Sequence, residues 1–279
     1  MKKILLSFGV VLFFSVLIFS CIKPQESGSA KDWKLGVALW TFHDVSFPEQ
    51  VAKADSCGVE YIEAFAFGKA GAALGDSAIF SLSLAGAQQL KQIVDKSGLH
   101  MESIYLVGGP NVDAWKKQFD IAKQLNVKYV TCEPGVTQWD MVDSLAGLYG
   151  IKVALHNHWK GTSAYWSPDS VLAAVKNHPN FGACADVGHW PKSGLDAVES
   201  LRKLEGHIIA LHLKDIAAAN NPKLRDVPVG KGIVDFPGIF AELKRQNFNG
   251  HLIIERDSLE VPSNVASVIQ TVKYCKSEL

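Results

Sequence analysis

From Lys34 onward, short runs rich in Val, Ile, Leu and aromatic residues alternate with longer runs whose apolar positions recur every three or four residues. The first texture predicts buried strands and the second predicts amphipathic helices. Eight strand-like runs stand out, at 34–42, 61–67, 100–108, 128–134, 151–158, 181–189, 208–215 and 251–257. A helical pattern follows each of them, and several open on capping signals. Ser46 with Glu49, and Asp196 with Glu199, have capping-box spacing, while Ser167-Pro168 sets a cap before a proline at the first helical position. Eight strand–helix units in about 245 residues predict an α/β fold, a single (β/α)8 TIM barrel over residues 34–279, rather than an open sheet. Two connections are long, 68–82 and 216–235. Both follow a strand, so both fall on the face where such barrels build their sites.

The chain begins differently. Residues 1–21, MKKILLSFGVVLFFSVLIFSC, join two lysines to an apolar stretch that ends in cysteine. That is the layout of a secretory signal, and Ile18-Phe19-Ser20-Cys21 resembles a bacterial lipobox. The reading is a signal peptide over 1–20, lipid on Cys21, and a polar tether over 21–33. An uncleaved anchor or plain secretion is the alternative. The expected location is therefore the periplasm or cell envelope, with a membrane partner through Cys21. Hydrophobic residues make up 48% and charged residues 20%, which suits a domain with a large core. The 28 basic and 28 acidic residues balance, and no run of five like charges occurs, so no nucleic-acid partner is expected. Cys57, Cys132, Cys184 and Cys275 form no CxxC pair and read as buried thiols. Neither Cys132 nor Cys184 reads as sharing a face with the acids of its strand.

Strands of a closed barrel are buried on both faces, so polar residues at their ends stand out. Glu133 ends the fourth strand, His156 and His158 the fifth, and Asp186 with His189 the sixth; His212 and Lys214 close the seventh, and Glu255 lies near the end of the eighth. Three carboxylates and several imidazoles converging on one space call for a cation, since like charges would otherwise force some groups to stay protonated. A mixed oxygen and nitrogen set suits one divalent ion: Mn, Co, Zn, Fe or Mg.

Asp186-Val187-Gly188-His189, His212-Leu213-Lys214-Asp215 and Glu255 resemble the xylose-isomerase-like barrel superfamily, over residues 34 to 275. That superfamily includes sugar isomerases and epimerases, dehydratase-type lyases and a DNA-repair endonuclease branch. The resemblance implies one divalent metal held by Asp186, His212 and Glu255. The fourth ligand of relatives is a glutamate on the fifth strand, where this chain has His156 in His156-Asn157-His158. His156 is then a candidate ligand in its place, with Glu133 reaching across from the fourth strand as the other.

A divalent ion beside a carbonyl and its neighbouring hydroxyl acidifies the C–H between them, and a positioned base then removes that proton. Returning the proton at the neighbouring carbon isomerises the substrate, returning it on the opposite face epimerises it, and losing a β-leaving group makes the enzyme a lyase. Glu133, His158 and His189 are the candidate acid–base groups, and Lys214 a candidate to polarise or protonate an oxygen. Trp40, Tyr105, Trp159 and Trp190 are candidate walls for a sugar ring. Val229-Gly230-Lys231-Gly232 reads as a turn rather than a phosphate loop. The expected function is a metal-dependent isomerase or epimerase acting on a small, non-phosphorylated carbohydrate. The alternatives are a lyase or hydratase acting on keto-sugars or 3-keto-glycosides, and a non-catalytic sugar-binding lipoprotein. The endonuclease branch is disfavoured by zero net charge and by too few further strand-end histidines.

Overall fold

A computed structural model describes residues 33–278. The signal peptide, Cys21 and most of the tether lie outside the described residues. Trp33, placed in the tether by its sequence, is part of the domain. It is buried, its indole N–H donates to the Phe248 carbonyl at 2.7 Å, and its ring lies against Phe240. Among the described residues no helix is long and apolar enough to cross a membrane.

The chain runs β1 (Lys34–Ala38), α1 (Phe47–Ser56), β2 (Tyr61–Phe65), α2 (Leu84–Ser97), β3 (His100–Tyr105), α3 (Val112–Leu125), β4 (Tyr129–Cys132) and α4 (Trp139–Tyr149). It continues with β5 (Lys152–His156), α5 (Pro168–Val175), β6 (Phe181–Asp186), α6 (His189–Lys192), α7 (Ala197–Lys203) and β7 (Ile208–Leu213). A small ribbon, β8 (Asp215–Ile216) with β9 (Asp226–Val227), precedes α8 (Phe236–Arg245), β10 (His251–Ile254) and α9 (Val265–Glu278). The parallel strands close in the order β1-β10-β7-β6-β5-β4-β3-β2, the eight-stranded barrel the sequence predicts. The expected caps form. Glu49 accepts from the Ser46 N–H at 2.9 Å, Asp196 from the Glu199 N–H at 2.9 Å, and Ser167 from the Ser170 N–H at 3.3 Å.

Each strand is shorter at its C-terminal end than its apolar run suggested. Ladder pairing stops before each run ends, and the residues beyond it continue extended or turn into loops. The two-residue period of the strands stacks the barrel interior in layers. Tyr129, Ala154, Cys184 and Ala210 form an inner cluster. Two residues further along the same four strands come Thr131, His156, Asp186 and His212. Three of the four floor residues are small, which leaves room for two imidazoles above them. Cys184 therefore does share a face with Asp186, contrary to the sequence reading.

Two register shifts keep these rows aligned. Ile62 pairs with Met101 but Glu63 with Ser103, and Ala183 pairs with Ile208 but Cys184 with Ala210. One extra residue on β3 and one on β7 re-aim the side chains that follow, as bulges beside sites commonly do.

The long connection 216–235 is tied down by Asp215. Its carboxylate accepts backbone N–H groups from Gly230 (3.0 Å), Gly232 (2.8 Å), Val234 (3.2 Å) and its neighbour Ile216 (2.8 Å). The N–H groups of the Gly230–Gly232 turn that would cradle a phosphate are thus already occupied, and the turn reading stands. A side chain on Gly232 would meet Asp215 Oδ1 at 2.2 Å, so the carboxylate and the loop backbone fit only with glycine there. We expect Asp215→Ala to orphan these N–H groups and to cost about 3 kcal/mol, a fall in Tm on the order of 6–12 °C. A calorimetric shift below about 2 °C would contradict this account of the loop.

Candidate metal and catalytic site

Asp186 ends β6 and is fully buried. Its Oδ1 accepts the backbone N–H groups of Gly188 (2.9 Å) and His189 (3.0 Å), which fixes the carboxylate and turns Oδ2 into the barrel mouth. Asn157 reinforces the position from β5's extension. Its amide donates to the Asp186 carbonyl at 3.0 Å and accepts from the Asp186 N–H at 2.8 Å, extending the β5–β6 ladder with a side chain. Gly188 is needed because a Cβ there would lie 2.7 Å from the Lys214 carbonyl and 2.8 Å from its Cγ. The Asp-x-Gly-His segment is therefore a device for aiming one carboxylate oxygen while letting Lys214 pass close by.

Around Oδ2 three nitrogens stand without well-directed hydrogen bonds: Lys214 Nζ at 3.0 Å, His189 Nε2 at 3.4 Å and His156 Nε2 at 3.7 Å. Burial alone would raise the Asp186 carboxyl, but the charges of Lys214 and His156 hold it well below the ordinary range. Lys214 also reaches Glu255 Oε2 at 3.1 Å and Asp257 Oδ2 at 2.9 Å. Against the cost of burial, Asp186, Asp257 and Glu255 keep it an ammonium well above 10.5. His189 behaves oppositely: burial, Lys214, His158 and Lys192 outweigh Asp186 and keep it neutral, its Nε2 accepting from Lys214 at 3.1 Å.

His212 lies between two carboxylates, Glu255 Oε2 at 2.8 Å from Nδ1 and Glu63 Oε1 at 3.0 Å from Nε2. Burial opposes its charge, yet Cys184, Glu255 and Glu63 raise it well above 6.5. Burial pushes the Cys184 thiol itself up to about 11, so at neutral pH the two carboxylates are the charges that matter. Glu63 escaped the sequence reading because it sits mid-strand in Tyr61–Phe65, not at a strand end. The available signal was a lone acid inside an otherwise apolar buried strand.

His156 falls in both of the groups that could hold a metal ion, and Glu133 in one of them. His156 joins Asp186, His212 and Glu255 in a buried group whose donor atoms lie within 4.8 Å of one another. Glu133 belongs to a second group, with His156 and His158. Its Oε1 is 2.5 Å from His158 Nδ1 and accepts from the Tyr105 hydroxyl at 2.9 Å, while Ser163 donates to Oε2. Burial would raise Glu133, but the neighbouring His156 and the hydrogen-bonded His158 lower it strongly. Both ring nitrogens of His156 lack hydrogen-bond partners. Glu133 at 3.5 Å and Asp186 at 3.7 Å are ion-pair rather than hydrogen-bond distances. Burial opposes a charge on His156, and the nearby Asp186 and Glu133 carboxylates outweigh it and lift the ring to about 9.

The four-residue group fits a divalent ion. It offers two imidazoles and two carboxylates, with the His156 nitrogens and Asp186 Oδ2 buried and unsatisfied. Lys214 competes for two of these oxygens, and Asp257, about a third exposed, is the carboxylate available to retain its ammonium.

Of the predicted aromatic walls, three line the mouth. Tyr105 stacks on Phe65, Trp40 meets Phe67 edge-on, and Trp159 packs against His158 and His189 with Lys192 over its face. Phe67, 37% exposed, extends the wall and was not singled out from sequence. Trp190 is a correction: it is fully buried in the main core, where helix α6 turns it away from solvent.

A closed (β/α)8 barrel with a His/Asp/Glu cluster at the C-terminal ends of its strands defines the class. Within it, the chain belongs to the xylose isomerase-like TIM barrel family, whose profile matches residues 51–277. A solved structure of an uncharacterised protein from Parabacteroides distasonis is 32% identical, covering 88% of this chain and 99% of that one, with a TM-score of 0.70. The L-ribulose-5-phosphate 3-epimerase UlaE of Salmonella paratyphi C is 31% identical over 103 residues, 37% of this chain and 35% of that enzyme. The chain thus matches about a third of that curated relative's length. A xylose isomerase-like barrel from Mycobacterium smegmatis, solved in complex with magnesium, shares the fold at 14% identity, covering 90% of this chain and 97% of that one, with a TM-score of 0.68.

The His156 environment sets a pH dependence in the metal-free protein. Its folded value, about 9, lies above the ordinary 6.5, so its contribution to stability is full below pH 6.5 and fades as pH rises through about 9. In chelator, the Tm advantage of wild type over His156→Gln should shrink across that window. A difference independent of pH would contradict the assignment.

Proposed function

We propose that the protein is a divalent-metal-dependent sugar isomerase or epimerase that removes a proton next to a carbonyl on a small, non-phosphorylated carbohydrate. The observation that carries this reading is the convergence of His156, Asp186, His212 and Glu255 within 4.8 Å at the barrel mouth. Those four residues would hold the ion. Bound there, it would polarise a substrate carbonyl and its neighbouring hydroxyl and make the C–H between them more acidic.

The chain's own groups then divide the proton handling. His158 is the base: Glu133 holds its Nδ1, and its side chain is about a third exposed, leaving Nε2 for substrate. Tyr105, Ser163 and His158 together keep Glu133 anionic and in place. Lys214 offers a permanent positive charge beside a developing oxyanion. Neutral His189 holds Lys214 and fills the wall behind it. Trp40, Phe67, Tyr105 and Trp159 present apolar faces to the ring of the sugar.

A lyase or hydratase acting on keto-sugars or 3-keto-glycosides is the second reading. The imidazole of His156, where the family resemblance implies a carboxylate, favours it. One oriented base, the Glu133–His158 pair, suffices for β-elimination, whereas epimerisation needs proton delivery from the other face as well. A purely sugar-binding role would leave this oriented pair without purpose.

The signal sequence and Ile18-Phe19-Ser20-Cys21 support export and lipid attachment at Cys21, and with them a free sugar rather than a sugar phosphate as substrate. Cys21→Ser should move the protein from the membrane to the soluble fraction of the producing bacterium; unchanged membrane partitioning would refute lipidation. For the chemistry, proton NMR in D2O with metal-loaded protein and a panel of aldoses, ketoses and 3-keto-glycosides should show deuterium entering beside the carbonyl. His158→Gln should slow this exchange by about 10²–10⁴. Loss of an aglycone or hydroxyl with an unsaturated product would shift the assignment to the lyase, and no turnover across the panel would refute the substrate class.

A further inference from the structure

We infer that Glu63 is a positioning residue of the metal centre, which by accepting the Nε2–H of His212 leaves Nδ1 as the nitrogen presented to a divalent ion. This rests on the metal reading above and extends it to a strand, β2, that supplies no ligand.

Glu63 is fully buried, and a buried carboxylate is expensive unless paired and hydrogen-bonded. Every contact it makes is spent on holding His212. Oε1 takes the His212 Nε2–H at 3.0 Å. Oε2 takes the hydroxyls of Ser103 at 2.6 Å and Thr131 at 2.8 Å, which fix the plane of the carboxylate from β3 and β4. The only ion pair Glu63 makes among the described residues is with His212, which lies across the barrel lumen. The extra residue on β3 falls between the Ile62 and Glu63 pairings and brings Ser103 opposite Glu63. The extra residue on β7 falls just before Ala210, two residues ahead of His212. Two departures from regular pairing thus align the two ends of one hydrogen bond.

The consequence concerns the other nitrogen. Nδ1 faces Glu255 Oε2 at 2.8 Å, and Glu255 belongs with His212 to the four-residue group. With Nε2–H retained by Glu63, the ring binds through Nδ1, and the anionic second partner raises its basicity as a ligand. A residue that merely filled the lumen or neutralised His212 would leave the choice of nitrogen undetermined.

The test uses the protein selectively labelled with 15N at histidine and loaded with Zn²⁺, alongside Glu63→Gln and Glu63→Leu. Long-range 1H–15N spectra should show His212 protonated at Nε2 and zinc-shifted at Nδ1 in wild type. Glu63→Gln keeps an acceptor for Nε2–H, so it should preserve that tautomer with a loss of Zn²⁺ affinity of only a few-fold. Glu63→Leu removes the acceptor and should weaken Zn²⁺ by about 10–100-fold in competition with a chelator. His212 protonated at Nδ1 in zinc-loaded wild type overturns the inference, as does equal Zn²⁺ affinity in all three proteins. A wild type that takes up no Zn²⁺, or any other divalent ion offered in its place, overturns the metal reading itself, a result distinct from either of these.

Discussion

Burying Asp186, Glu255 and Glu63 at the open end of a barrel demands positive charge in the same small volume, and much of the molecule's mouth is arranged to supply it. Lys214 spans Asp186, Glu255 and Asp257, and His212 stands between Glu255 and Glu63. His156 sits between Asp186 and Glu133 at distances that leave both its nitrogens open. Such a balanced but unsatisfied cluster is costly for stability alone, since hydrophobic replacements of buried ion pairs are often neutral or better. Its cost is intelligible as the price of a site that exchanges internal cations for a divalent ion.

The fold serves that cluster layer by layer. Small floor residues, Ala154, Cys184 and Ala210, make room for the imidazoles, and the two-residue strand period sets Thr131, His156, Asp186 and His212 above them. Side chains then substitute for backbone where the ladder ends: Asn157 continues β5–β6 pairing around Asp186, and Asp215 gathers the N–H groups of the long loop. The glycines at 188 and 232 matter because a backbone carbonyl or carboxylate passes where a Cβ would be. Rigid strands thus aim the candidate ligands, while the segments beyond them carry Trp40, Phe67 and Trp159 and the Glu133–His158 pair proposed to handle the proton.

Much of this was legible in the chain itself. The barrel followed from eight apolar runs each trailed by a helical pattern, and the strand ends of His156, Asp186, His212 and Glu255 followed from polarity where burial was expected. What escaped has physical reasons. Glu63 lies mid-strand, and its partner is far away in sequence, so nothing local announces a His212 contact. Strand ends were overestimated because residues past the last ladder bond remain apolar or extended. Trp190 reads like a mouth aromatic by position, but one helical turn rotates it into the core. The facing of Cys184 depended on strand parity, and the grouping of Glu133 with His156 and His158 depended on side-chain reach across neighbouring strands, which no spacing rule supplies.

The central claim is that the cluster is a divalent-ion site, not a permanently lysine-neutralised one. Elemental analysis of the purified protein, after exposure to Mn²⁺, Co²⁺, Zn²⁺ and Mg²⁺ in turn and removal of excess, tests it directly against Asp186→Asn. The account predicts about one ion per wild-type chain for at least one of these metals and little or none in the variant. No retained metal in wild type, or equal retention in both proteins, would contradict it and leave Lys214 as the cluster's resident cation.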